Sequence, residues 1–183
     1  MVFLAGPVIL ILPVLLPNMH FVWAELRRWL MRDLRKILRG ERFAAQSGKS
    51  IRAGVAEGIL IGGNMSGISD LSGTPYYPDL NGKILLLEDE CEVSYKLKLM
   101  LTQIKYNPTF SGVKGIVFGR FSECNDHITH GTMESVVEDF AAQVDLPIIK
   151  DFNYGHFREH LILTCGVKYR FDAGNCVLEQ IEG

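Results

Sequence analysis

A marked excess of charge of either sign is missing from this chain. Its 183 residues carry 19 basic and 21 acidic side chains, a formal −2 at neutral pH. So even a balance predicts no general affinity for nucleic acid, which needs a concentrated positive field. Cysteine is scarce, and Cys91, Cys124, Cys165 and Cys176 form no C-x-x-C pair. In a chain of this size they read as reduced thiols of a cytoplasmic protein, not as a disulfide framework. No apolar run is long enough for a membrane helix. The strongest, MVFLAGPVILILPVLL at the start, falls short of the ~20 residues a span requires and is interrupted by Pro7 and Pro13. It also lacks the basic flank and small-residue cleavage site of a secretion signal. Internal repeats and low-complexity tracts are absent. Gly48-Lys49-Ser50 resembles the end of a phosphate-binding loop, but Phe43 stands where that loop needs its first glycine. The glycines of Gly58–Asn64 do not have dinucleotide-fingerprint spacing either.

What is present suits one ordinary domain with a sizeable core, since 48% of the residues are hydrophobic. Ala24–Leu38 is the best helix, with Leu26, Trp29, Leu30, Leu34, Ile37 and Leu38 on one stripe. Residues 24–42 hold seven basic and three acidic side chains, a local +4. Such a face invites a nucleic-acid or membrane-surface reading. Glu25, Asp33 and Glu41 dilute it, and a solvated face is the stronger interpretation. Arg39–Ser50 is polar and reads as a loop or linker. Beyond it the chain alternates short apolar runs with helical periodicity. Gly58–Asn64 is a strand, Gly73–Asp79 a turn-rich loop, and Ile84–Leu87 a buried strand. Val93–Ile104 is a helix, Gly115–Gly119 a second buried strand. Thr132 caps a helix whose apolar face is Met133, Val136, Val137, Phe140 and Val144. Pro147–Ile149, Leu161–Thr164 and Val167–Phe171 are strands, and a turn at Asp172–Asn175 closes a hairpin with Cys176–Glu179. The order of these runs predicts a mixed α/β domain with the Ile84 and Gly115 strands central.

The stretch GKILLLEDECE, Gly82–Glu92, is the organising one. Its apolar run ends in Glu88, Asp89 and Glu90, which places Glu88 at a strand end where loops build sites. From these residues alone, a strand ending in solvated acids is the commoner interpretation. His156 lies in the loop Asn153-Tyr154-Gly155-His156, a usual place for a general base, and His160 competes for that role. Asn64 follows two glycines and is a candidate substrate-binding residue or a turn-forming one. Cys124, Asp126, His127 and His130 are ligand-type side chains, but zinc sites show two tight ligand pairs and this is one loose cluster, so no metal is expected.

Several blocks in one order carry a resemblance: VAEGILIGGN, GTPYYPDL, GKILLLEDE, MLTQI, GIVFGRF, LPII and FNYGH. Over about Gly54–Glu182 the chain resembles the C-terminal domain of the LD-carboxypeptidases, serine peptidases that include murein tetrapeptide carboxypeptidases and microcin-immunity hydrolases. Val2–Pro7 resembles the end of the family's N-terminal domain. The resemblance implies a swivelling β/β/α-type domain over residues 51–183, with residues 1–50 a remnant of the nucleophile domain plus a connecting helix and linker. It implies a serine–histidine–glutamate triad, with Glu88 matching the glutamate and His156 the histidine. It implies no cofactor, a murein peptide or related small amide as substrate, a cytoplasmic location and a possible homodimer. None of the serines here stands in the family's nucleophile motif. Two functions are therefore expected to compete: a carboxypeptidase part that supplies two members of a triad, and an inactive remnant acting by association. Phe157-Arg158-Glu159 departs from the small polar residue and proline usual after the histidine. At the N-terminus, burying each apolar side chain of Val8–Leu12 and Val14–Leu16 is worth roughly 1.5–3 kcal/mol. That segment must fold back on the domain, pair with another copy, or bind membrane or chaperone, and self-association or poor solubility is expected.

Overall fold

The computed structural model describes residues 9–10, 35–126, 131–157 and 160–182. The strands in chain order are β1 (Ile9–Leu10), β2 (Ala44–Gln46), β3 (Lys49–Arg52), β4 (Val55–Asn64), β5 (Lys83–Glu90), β6 (Gly115–Ser122), β7 (Ile148–Lys150), β8 (Thr164–Cys165), β9 (Lys168–Asp172) and β10 (Val177–Gln180). The helices are α1 (Met65–Asp70), α2 (Ser94–Lys105) and α3 (Met133–Ala142). An eight-stranded sheet runs β2-β10-β9-β4-β5-β6-β7-β3. Its middle, β4 to β7, is parallel, and each parallel step is bridged by one of the helices. The outer pairings are antiparallel. The architecture is thus the mixed α/β one expected, with β5 and β6 in the interior of the sheet.

Strand periodicity sorts the core onto two faces. Leu85 and Leu87 of β5, with Ile116 and Phe118 of β6, meet Leu97, Met100, Leu101 and Ile104 of α2 and Val136, Val137 and Phe140 of α3. The 3/4 spacing of those helical residues is what makes one continuous stripe. Ile84, Leu86 and Val117 face the other way, into Phe152, Tyr154, Tyr169, Phe171 and Leu178. The loop after β7 and the β9–β10 hairpin cover that second face. Apolar contact on both faces explains why β5 reads as a continuous run rather than an alternation.

Three expectations change. β5 does not stop at Leu87; it continues to Glu90, and Glu88 and Asp89 are each only 2% exposed. Each is hydrogen-bonded, which is what permits burial of a carboxylate. The supposed linker Arg39–Ser50 contains β2 and the start of β3, the two edge strands of the sheet, with a turn at Gly48 (φ +86°) between them. Edge strands are commonly short and polar, so composition disguised them. Leu161–Leu163 is not a strand, though Ile162 and Leu163 are buried; only Thr164–Cys165 of that run is one. Of the Ala24–Leu38 helix, Arg35–Leu38 is helical and the rest lies outside the described residues. β1 pairs antiparallel with β8, so at Ile9–Leu10 the apolar segment folds back on the domain. Among the described residues no helix is long and apolar enough to cross a membrane. All four cysteines are free thiols, and burial pushes the Cys165 thiol up to about 12.

Candidate functional site

The site forms where the parallel strands end. The β5–β6 register carries Leu87 opposite Phe118 and Asp89 opposite Phe121, so Glu88 alone faces Gly119 and Arg120. One residue against two is a β-bulge, a device that re-aims side chains and recurs beside active sites. Phe121 stays with the helix-side core, while the bulge lets the adjacent Arg120 turn to the opposite face.

The loop after β7 continues along β6 almost as a further strand. Phe152 N donates to Phe118 O at 3.0 Å, and Arg120 N donates to Tyr154 O at 2.8 Å. Phe152 and Tyr154 are buried and anchor it. Gly119 and Gly155 make the approach possible. A Cβ on Gly119 would overlap the Tyr154 carbonyl and lie 3.0 Å from Glu88 Cβ. Gly155 has φ +138°, and a Cβ there would lie 2.9 Å from Arg120 O and 3.2 Å from Glu88 Oε2. Only glycine satisfies both the conformation and the space.

His156 is thereby delivered to Glu88, 68 positions away, with Nδ1 at 2.8 Å from Oε2. The carboxylate only accepts when ionised, so Nδ1 carries the proton and donates. The Glu88 side chain is 3% exposed and that of His156 22%. The hydrogen bond His156 donates to Glu88 raises the imidazole above its ordinary pKa, opposed by desolvation and helped by the charges of Glu88, Glu90 and Asp89. This fixes one tautomer and leaves Nε2 as the nitrogen able to exchange a proton with a ligand.

His160 serves differently. It is buried, its Nδ1 lies 2.8 Å from Phe157 O, and desolvation holds its pKa below the ordinary value. It braces the turn that carries His156. Asn64 sits opposite Glu88 in the β4–β5 pair. Its Oδ1 accepts from Gly67 N at 2.9 Å, capping α1, and its Nδ2 donates to Asp89 Oδ1 at 2.8 Å. One Nδ2 hydrogen remains for another partner. Asp89 also accepts from Ser66 N and Ser66 Oγ, each at 2.9 Å. This Asn64–Ser66–Asp89 network, which sequence reasoning missed, ties the end of β5 to α1. Its one advance sign was a second carboxylate directly after Glu88.

Among the described residues no three His, Cys, Asp or Glu side chains are arranged to hold a metal ion. His127 and His130 lie outside the described residues. Cys124 instead bonds the loop, accepting from Glu92 N at 3.4 Å. Two open cavities, of about 530 and 420 Å³, flank the site; Ser47 and Arg120 line both, while Glu88 and His156 line neither. The oriented imidazole is at the Glu88–His156 pair, outside both cavities.

The sequence profile of the LD-carboxypeptidase C-terminal domain matches residues 57–171. A Synechocystis sp. protein provisionally named a carboxypeptidase is 34% identical over 146 residues, covering 79% of this chain and 48% of that protein. A Bacillus subtilis protein, named a probable murein peptide carboxypeptidase, is 32% identical over 117 residues, covering 63% of this chain and 37% of that one. The chain thus spans about half the length, or less, of these curated relatives. The crystal structure of muramoyltetrapeptide carboxypeptidase from Oxalobacter formigenes superposes with a TM-score of 0.74 at 21% identity, over 83% of this chain and 54% of that one. The microcin C7 self-immunity protein MccF superposes at 0.67 and 24% identity, over 75% and 42% of the two chains. At those identities the structures speak for the fold.

Proposed function

This chain belongs to the LD-carboxypeptidase family, and from that premise we propose that it supplies the glutamate and histidine of a Ser-His-Glu triad. The reaction is hydrolysis of the peptide bond to the C-terminal residue of a murein tetrapeptide or related amide, in the cytoplasm. His156 takes the proton of a serine hydroxyl through Nε2 and returns it to the leaving amine. Glu88 holds the imidazole in the required tautomer and stabilises the imidazolium, and the remaining Asn64 N–H is the candidate substrate contact. The observation that carries the reading is the 2.8 Å contact between a buried carboxylate and a half-buried imidazole. The C-terminal catalytic part runs over residues 51–183 and takes β2 and β3, from residues 44–52, as its edge strands.

The nucleophile comes from a serine-bearing N-terminal domain of the family type. Ser66 is committed to Asp89, and Ser47 Oγ accepts from Asn153 N at 3.0 Å. That observation also supports a second reading, in which the chain acts only by association, including as a homodimer. Release of terminal D-alanine from murein tetrapeptide separates them. The chain alone is expected to be inactive. Joined to a relative's serine-bearing domain, it should hydrolyse, and His156→Ala should lower kcat by roughly 10⁴ or more. A joined, folded protein that hydrolyses regardless of His156 refutes the triad; one that never hydrolyses favours association.

A further inference from the structure

We infer that Arg120 is an anion-recognition residue beside His156, shaped to take a carboxylate of an acidic peptide. The inference rests on the peptidase reading of the cleft and names the kind of substrate it accepts. Its starting point is the bulge opposite Glu88, which puts Arg120 on the face of the sheet that holds Glu88 and the His156 loop. Its backbone is fixed there, because Arg120 N donates to Tyr154 O at 2.8 Å. Its guanidinium lies over the Phe157 ring, 4.5 Å from the centroid, directly after His156 in the chain. Stacking on an aromatic face leaves the edge N–H donors of the planar fork available and limits the rotamers lost on binding.

The side chain is exposed, lines both cavities flanking the site, and has no carboxylate partner among the described residues. Its neighbours reinforce the sign of the groove. Lys36 and Arg42 line the larger cavity against a single acid, Glu41. Lys49 lines the smaller one but is engaged by Asp151 at 3.2 Å. A chain that is −2 overall therefore presents a positive groove at its proposed catalytic mouth. With no carboxylate partner among the described residues, the planar fork of Arg120 matches one planar carboxylate in a bidentate pair. A peptide whose scissile bond lies at Nε2 of His156 would bring its free carboxylates to this groove.

The test is isothermal titration of the full chain with murein tetrapeptide and with the same peptide fully amidated. The acidic peptide is expected to bind, more weakly as salt rises, and the amidated one at least tenfold more weakly. Arg120→Gln should abolish that discrimination. Arg120→Lys should recover only part of it, because charge returns without the fork. Phe157→Leu should weaken binding of the acidic peptide alone. An NMR titration of His156 should be the same in Arg120→Gln as in the parent, which shows that the loop is intact. The inference is overturned if the parent chain does not bind the acidic peptide, if it binds both peptides alike, or if Arg120→Gln binds as the parent does. None of those results bears on the triad, which the His156→Ala hydrolysis assay judges separately.

Discussion

Glu88→Gln is the most informative single perturbation, because it keeps the shape of the site and removes its charge. In the parent, Glu88 is almost fully buried and bonds the half-buried His156 at 2.8 Å. A hydrogen bond to a charged group contributes about 1.5–3 kcal/mol, a neutral one about 0.5–1.5. Glutamine retains an acceptor for Nδ1–H, so the net loss with the imidazole charged is about 1–2 kcal/mol. For a chain of this length that is ~2–8 °C in Tm. The pH dependence has a definite sign. His156 is held above its ordinary pKa in the folded state, chiefly by the Glu88 hydrogen bond. The unfolded state therefore binds fewer protons between the two pKa values, and stability from this pair falls as pH rises. It is fully present below the unfolded value, about pH 6.5, and is lost through the raised native one. Urea denaturation of both proteins from about pH 6 to about pH 9 should show a gap that closes with rising pH. The imidazole titration, followed by NMR, should move down in the variant, because desolvation persists while the hydrogen bond is reduced to a neutral one and the Glu88 charge is gone. A gap that is constant or widens with pH, or an unmoved titration, refutes the coupling.

Two further outcomes follow from the same geometry. Gly119→Ala should destabilise the domain by about 1–3 kcal/mol in chemical denaturation and shift the His156 ring resonances, since its Cβ would displace the Tyr154 carbonyl that carries the loop. A glycine-to-alanine change without effect on His156 would show that the bulge does not set the loop. Deleting Met1–Asn18 should lower the unfolding free energy by about 1–2 kcal/mol, and with it the denaturation midpoint, and speed amide exchange at Thr164 and Cys165, because β1 pairs with them. Smaller species in light scattering with an unchanged midpoint would instead make the segment purely an association surface.

Legibility in the sequence followed the range of the interactions involved. Helical periodicity and apolar runs located α2, α3, β5, β6 and the β9–β10 hairpin, because each is fixed by its own face. The Thr132 cap was readable for the same reason, and its side chain does accept from Ser135 N at 3.0 Å. The end of β5 was not. Whether Glu88 and Asp89 are solvated or buried depends on partners 68 and about two dozen positions away, His156 on one side and Asn64 and Ser66 on the other. Only an ordered set of motifs, not the local pattern, pointed to Glu88 and His156 together. The edge strands β2 and β3 were hidden by polarity, which is what an edge requires.

The bulge is the hardest feature to anticipate, and the most consequential. GIVFGRFS has no local mark that one residue of β5 will oppose two of β6; that is a property of register between strands about thirty positions apart. Yet the extra residue does two jobs at once. It presents Gly119, which leaves space for the Tyr154 carbonyl and so for the loop that carries His156. It also turns Arg120 from the helix-packed face onto the groove, against Phe157. A regular strand would place Arg120 against Phe140 and the other apolar residues of α3, where an unpaired guanidinium is strongly disfavoured. The same irregularity that admits the proposed general base therefore exports a cation to the place where a peptide carboxylate would arrive.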